Sequence, residues 1–179
     1  MTAEAQVKTK DTIPLWLAVG ITVVVSLPFG LLLGKYNLPL WVAFIVWAEY
    51  FVLGAKPSAL RIIFPAFIAG VFITAFSMFL TVVLTKWLSL NLSLAISLFV
   101  VVSAMVYIMR FFKVLGEGSL PYFNGISMLL AVYFTAQYPA TANAYLQPWV
   151  AALWASLAGI LGGLLGVFNI WIMFTHKVK

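Results

Sequence analysis

Glu49 is the one acidic residue inside a long apolar stretch of this chain, so it is the first place to look for chemistry. A charged carboxylate at the centre of a membrane helix costs ~2.5–3.5 kcal/mol on insertion scales, and a compensating role is expected. In a functional reading it binds a proton or a cation. In a structural reading it is protonated, or it pairs with Lys56, two turns along the same helix face. Lys56 lies about 10 Å further up the helix and would have to snorkel back to reach it. A second polar set, Asn124, Ser127, Thr135 and Gln137, sits in another short apolar run. Asn124, Ser127 and Gln137 offer hydrogen bonds to a neutral polar solute such as an amide. Equally, they are suited to joining neighbouring helices, at about 0.6–2 kcal/mol each. Tyr50 and Tyr133 complete the candidate pathway residues, alongside Glu49, Asn124, Ser127 and Gln137.

Catalysis finds little to work with. Cysteine is absent, which removes disulfides, thiol nucleophiles and thiolate metal sites. The only histidine, His176, falls in the polar C-terminal end and reads as a solvated residue. No metal-ligand cluster or nucleophile-and-base pair is spelled out at depth. The expectation is a protein that is not an enzyme and holds no cofactor or metal.

The solvent these residues must work in follows from composition. Hydrophobic residues make up 65% of the chain and charged residues 8%, where a soluble domain carries about 25% charged residues. Water could not accommodate so much apolar surface, so the lipid bilayer is the expected partner. Long unbroken apolar runs favour helices over barrel strands, which would alternate. At ~20 residues per span, 179 residues leave room for about six. The net charge of +6 is spread singly at the ends of these runs. It therefore reads as topology information and headgroup contact, with no nucleic-acid partner.

In chain order, residues 1–12 read as a polar cytoplasmic tail. Spans are expected at about 13–33, 40–53, 65–84, 88–108, 121–136 and 148–174, with a connector or first helical segment at 57–64 kinked at Pro65. Residues 175–179 read as a basic cytoplasmic tail. The first span is preceded by Lys8 and Lys10, yet it is too long for a signal peptide and has no cleavage-site pattern, so it is read as retained. With both termini cytoplasmic, Lys8, Lys10, Lys56, Arg61, Arg110, Lys113, Lys177 and Lys179 fall inside, and only Lys35 and Lys86 outside. This is a clear positive-inside bias. Trp16, Trp41, Trp87, Trp149 and Trp171 lie near span ends, as an interfacial aromatic belt requires.

An internal repeat gives these spans an organisation. Shifting the chain by 82 residues aligns Gly34–Pro39 with Gly116–Pro121, and Pro57 with Pro139. A shift of 83 aligns Pro65 with Pro148, and Tyr50-Phe51 with Tyr133-Phe134. The expected architecture is an all-α membrane protein of six helices in two inverted three-helix repeats, 13–94 and 95–174. Each repeat has an odd number of spans, so the halves enter from opposite sides. Folds of this kind place a pathway at the repeat interface near the midplane. The short helices begun by Pro39 and Pro121 are the leading candidates to line it; the alternative is that they are short packing helices. Gly159, Gly162, Gly163 and Gly166 form small-xxx-small patterns for close helix packing, and Gly30 and Gly34 read the same way in the first span.

Trp41, Phe44, Tyr50 and Phe51, in the pattern W-x-x-F-x-x-x-x-x-Y-F, resemble the second span of the small bacterial inner-membrane proteins of the YcdZ type, a group of unknown function. The similarity covers roughly residues 13–170. It implies a multi-span bacterial membrane protein and supplies no substrate. In that pattern the position of Glu49 is usually small, which would make Glu49 a feature of this chain and not of a family mechanism.

Together these features lead to an expected function: a homo-oligomeric inner-membrane channel or facilitator for a small, mostly uncharged polar solute such as urea, a short amide or an alcohol. Two alternatives stand beside it, a proton- or cation-coupled small-solute transporter using Glu49 and a non-transporting membrane subunit or scaffold.

Overall fold

The computed structural model describes the backbone of residues 9–174, 176 and 177, and the side chains of residues 11–174. The tails expected at 1–12 and 175–179, and the side chain of His176, fall largely or wholly outside these. The described residues form seven helices: α1 (Leu15–Leu31), α2 (Leu40–Val52), α3 (Leu60–Leu84), α4 (Leu90–Met109), α5 (Lys113–Glu117), α6 (Ser119–Phe134) and α7 (Gln147–Ile172). Two short segments, β1 (Thr9–Lys10) and β2 (His176–Lys177), pair antiparallel and bring the described residues before α1 and after α7 together. This is an all-helical, membrane-spanning architecture. Taken singly, α4, α7 and α3 with its leading turn are long and apolar enough to cross a bilayer. The segments Leu15–Leu31 and Gly34–Val52 qualify only together, as a pair bent by 118°, and α6 is a shorter apolar helix. With 13 residues α2 rises about 20 Å, well short of the ~30 Å hydrocarbon core.

Local chemistry explains the breaks. Pro39 precedes α2 in an extended conformation, and Pro121 occupies the first turn of α6, where a missing N–H leaves no unmet bond. Both helices end in the same cap. The Ala55 N–H bonds to the Tyr50 carbonyl and the Gly54 N–H to Phe51; 82 residues on, Gln137 bonds to Val132 and Ala136 to Tyr133. The residue after each C-cap is left-handed: Gly54 at φ 96° and Ala136, a non-glycine, at φ 53°. The shift of 82 thus extends from the prolines to the caps. It matches Phe51 with Tyr133, in place of the Tyr50-Phe51 alignment at 83. The Pro65–Pro148 alignment is not structural. Pro65 lies inside α3, which continues through it, while Pro148 opens α7, because the loop after α6 is longer than the one after α2.

Packing interlocks the two halves of the chain. Helices α3 and α7 cross at the centre; α1 and α2 lie on α7, and α4 and α6 lie on α3. Each half therefore seats its first two helices on the long helix of the other. Glycines set the closest approaches: a Cβ at Gly162 of α7 would meet the Ala43 backbone of α2, and one at Gly70 of α3 would meet the Tyr122 carbonyl of α6. Gly159, Gly163 and Gly166 receive the rings of Phe67, Phe64 and Tyr50 respectively. The glycine face of α7 is thus spent on packing inside the chain. Gly30 packs against Leu40, but Gly34 does not serve as a packing residue: it has open space around it and φ 60°, the conformation of the turn after α1.

Candidate functional site

Helices α2 and α6 run antiparallel, each supported by a long helix and touching the other only in passing. Two side-chain hydrogen bonds join them, one at each end of the crossing. Where α2 begins and α6 ends, the Trp41 indole N–H donates to Gln137 Oε1 at 2.6 Å, in an exposed setting. Where α2 ends and α6 begins, the Asn124 amide donates to Glu49 Oε1, also at 2.6 Å. Glu49 is 2% exposed, and its second oxygen, Oε2, is buried without a hydrogen-bond partner among the described residues.

From Trp41, the positions Ile45, Ala48 and Val52 recur every three or four residues on one stripe of α2, and Ile45, Ala48 and Val52 are exposed. On α6 the stripe through Asn124 continues with Met128, Ala131 and Thr135. The hydrogen bonds at either end hold the two helices together along a narrow seam with polar ends.

The Trp41 end opens into a cleft of about 540 Å³, whose lining includes Gly34, Asn37, Trp41, Gln137 and Tyr138. Tyr138, in the loop beyond α6, is raised above the ordinary tyrosine value by burial and then by neighbouring Tyr133, so its hydroxyl stays a neutral donor. At the Glu49 end, Gly118 ahead of α6 lies close against Ala66 and Ile62 of α3.

The sequence-derived candidates separate accordingly. Glu49 and Asn124 meet, although 75 residues apart. Gln137 joins the opposite end. Tyr50 is buried under Gly166 as a core residue. Ser127 faces outward between exposed Phe123 and Phe134. Tyr133 stacks flat on Tyr138, with centroids 6.2 Å apart and planes at 6°. The expected Glu49–Lys56 pair does not form. The chain turns at Gly54 and Ala55, carrying Lys56 out of line with α2, and Asn124 supplies the contact.

One buried polar pair went unread in the sequence. Asn169 of α7 donates to the Thr22 hydroxyl of α1 at 3.1 Å, with both residues fully buried. The signal was present, because Asn169 is the lone amide within the last apolar run. Among the described residues no cluster of His, Asp or Glu could hold a metal ion.

The family described as "Protein of unknown function (DUF1097)" matches residues 16–173. The chain belongs to the DUF1097 family. That agrees with the expectation of an uncharacterised family, and it does not extend to the YcdZ-type name. No curated protein and no solved structure matches this DUF1097 chain. Its α2–α6 seam and cleft must therefore be interpreted from their own chemistry.

Proposed function

We propose that this protein is a channel or facilitator for a small, mostly uncharged polar solute of the urea, short-amide or alcohol class, with the α2–α6 seam as its route. The observation that carries the reading is the polar joining of two short helices at both ends, with a cleft at one of them. Indole N–H, amide and phenol groups at the mouth suit a neutral hydrogen-bonding solute. Lys35 is the only charged residue in the cleft lining.

In this reading α1 to α4, α6 and α7 all cross the inner membrane of the cell, as two inverted three-helix repeats with cytoplasmic termini. The matching caps 82 residues apart and the reciprocal packing of the halves support it. So does the antiparallel pairing of β1 with β2. Exposed Trp16, Trp87 and Trp171 suit interfacial positions. The short helices would cross by thinning the bilayer locally, and the exposed Phe123–Phe134 stripe of α6 would serve association between copies.

Stopped-flow swelling of proteoliposomes with urea, acetamide and glycerol tests the proposal. Permeability above that of empty liposomes for at least one solute is expected; none for any solute would sink it. The unpartnered Glu49 Oε2 favours a second reading, coupled transport with Glu49 carrying the proton or cation. In that case Glu49→Gln abolishes uptake, whereas a facilitator keeps flux within about twofold.

A further inference from the structure

A second cavity, of about 460 Å³, lies away from the seam between the end of α3, the start of α4 and the end of α6. Met78, Val82, Leu90, Leu94 and Phe134 give it apolar walls. Its size falls in the ~300–1,000 Å³ range of small-molecule pockets. No charged residue lines it. Its polar groups differ in availability. The hydroxyls of Thr81 and Thr85 are spent on the Ser77 and Val82 carbonyls, at 3.0 and 2.7 Å. Asn91 and Tyr133 also line the cavity, and the side chain of neither makes a hydrogen bond among the described residues.

The cavity exists because α4 packs on α3 and barely touches α6. In the first half of the chain, Phe51 matches Tyr133 in the cap register and packs on the buried cluster of Ala43, Trp47 and Leu165, its ring centroid 6.1 Å from that of Trp47. In the second half Tyr133 instead lies flat on Tyr138 and leaves the space beside α4 open. Leu90 and Phe134 at the rim are 64% and 62% exposed. In a membrane-spanning chain such exposed apolar surface suits contact with lipid, which would give a membrane-soluble ligand access to the cavity.

We infer that this cavity is a binding site for a small membrane-soluble alcohol or phenol. Its apolar body fills the space between α3 and α4, and its hydroxyl is shared between Asn91 and Tyr133. A hydroxyl both donates and accepts, which suits an amide and a phenol together. An ionised head would find no counter-charge in the lining.

The absence of native cysteine allows a single reporter. Ala144→Cys, at the exposed edge of the cavity, is labelled with bimane and titrated with 4-butylphenol in nanodiscs. A saturable fluorescence change is expected. Apparent affinity should fall about tenfold for butylbenzene, about tenfold in a Tyr133→Phe background, and further in Leu94→Trp, which fills the space. Tyr133→Phe keeps the ring and the fold, so it decides the matter if Leu94→Trp is misassembled on size exclusion. The inference is overturned by a non-saturating response that a label at lipid-facing Leu92→Cys reproduces. Equal affinities for butylphenol and butylbenzene, unchanged in Tyr133→Phe, would overturn it as well.

Discussion

At one end of the α2–α6 crossing a half-buried indole meets an exposed amide; at the other a buried carboxyl meets a part-buried one. The two bonds have the same length and different weight. Trp41 and Gln137 can exchange their bond for water, so it adds little to stability and leaves a mouth that can open. Glu49 has no such exchange: Asn124 holds one oxygen, and the other has no partner among the described residues. The halves of the chain share prolines and caps but not these polar groups. Val42 and Ala131 occupy the positions that a shift of 82 would match with Asn124 and Glu49. The repeat therefore supplies the scaffold, and the difference between its copies supplies the candidate site.

The largest effects should come from breaking the scaffold that the two ends share. Leucine at Gly162 collides with the Ala43 backbone, and leucine at Gly125 with the backbone of Phe67 and Val71. A flexible side chain cannot relieve either contact. Each substitution should cost about 3 kcal/mol or more, seen as loss of monodisperse protein after extraction. If the halves are equivalent supports, the two losses will be similar.

Next come the ends themselves. Asn124→Leu leaves a buried carboxyl with no partner and should destabilise by about 1–3 kcal/mol; Trp41→Phe removes an exposed bond and should cost about 1 kcal/mol or less. Thermal melts of the two variants in one detergent compare the ends directly. Equal shifts would remove the distinction drawn between them. Glu49→Leu added to Asn124→Leu should recover part of the loss, since no polar group is then stranded. Ser127→Ala should change melting by less than about 0.5 kcal/mol, as for other exposed sites, and leave flux unaltered.

Much of the helix layout was legible because apolar runs and prolines act locally. The run expected at 40–53 is helix at Leu40–Val52, and that expected at 88–108 is helix at Leu90–Met109. Pro39 and Gly54 bracket α2 by their backbone preferences alone. Partners were not legible. Nothing local to Glu49 indicates that its contact comes from Asn124 in the other half, and helical spacing pointed to Lys56 until the left-handed turn intervened. The cavity beside α4 was equally hidden, because it arises from where α4 does not pack. Asn169 was visible as a residue, but Thr22 as its partner depends on how α1 lies on α7.

Solute flux through a blocked seam tests the central claim most directly. Ala48 is exposed, lies on the Trp41 stripe of α2, and can carry the only cysteine of the chain. In proteoliposomes, a charged methanethiosulfonate reagent on Ala48→Cys should lower flux of the permeant solute by more than fivefold, with recovery on reduction. The same reagent on Leu92→Cys of α4 should change nothing. Full flux through fully modified Ala48→Cys would contradict the assignment of the α2–α6 seam as the route.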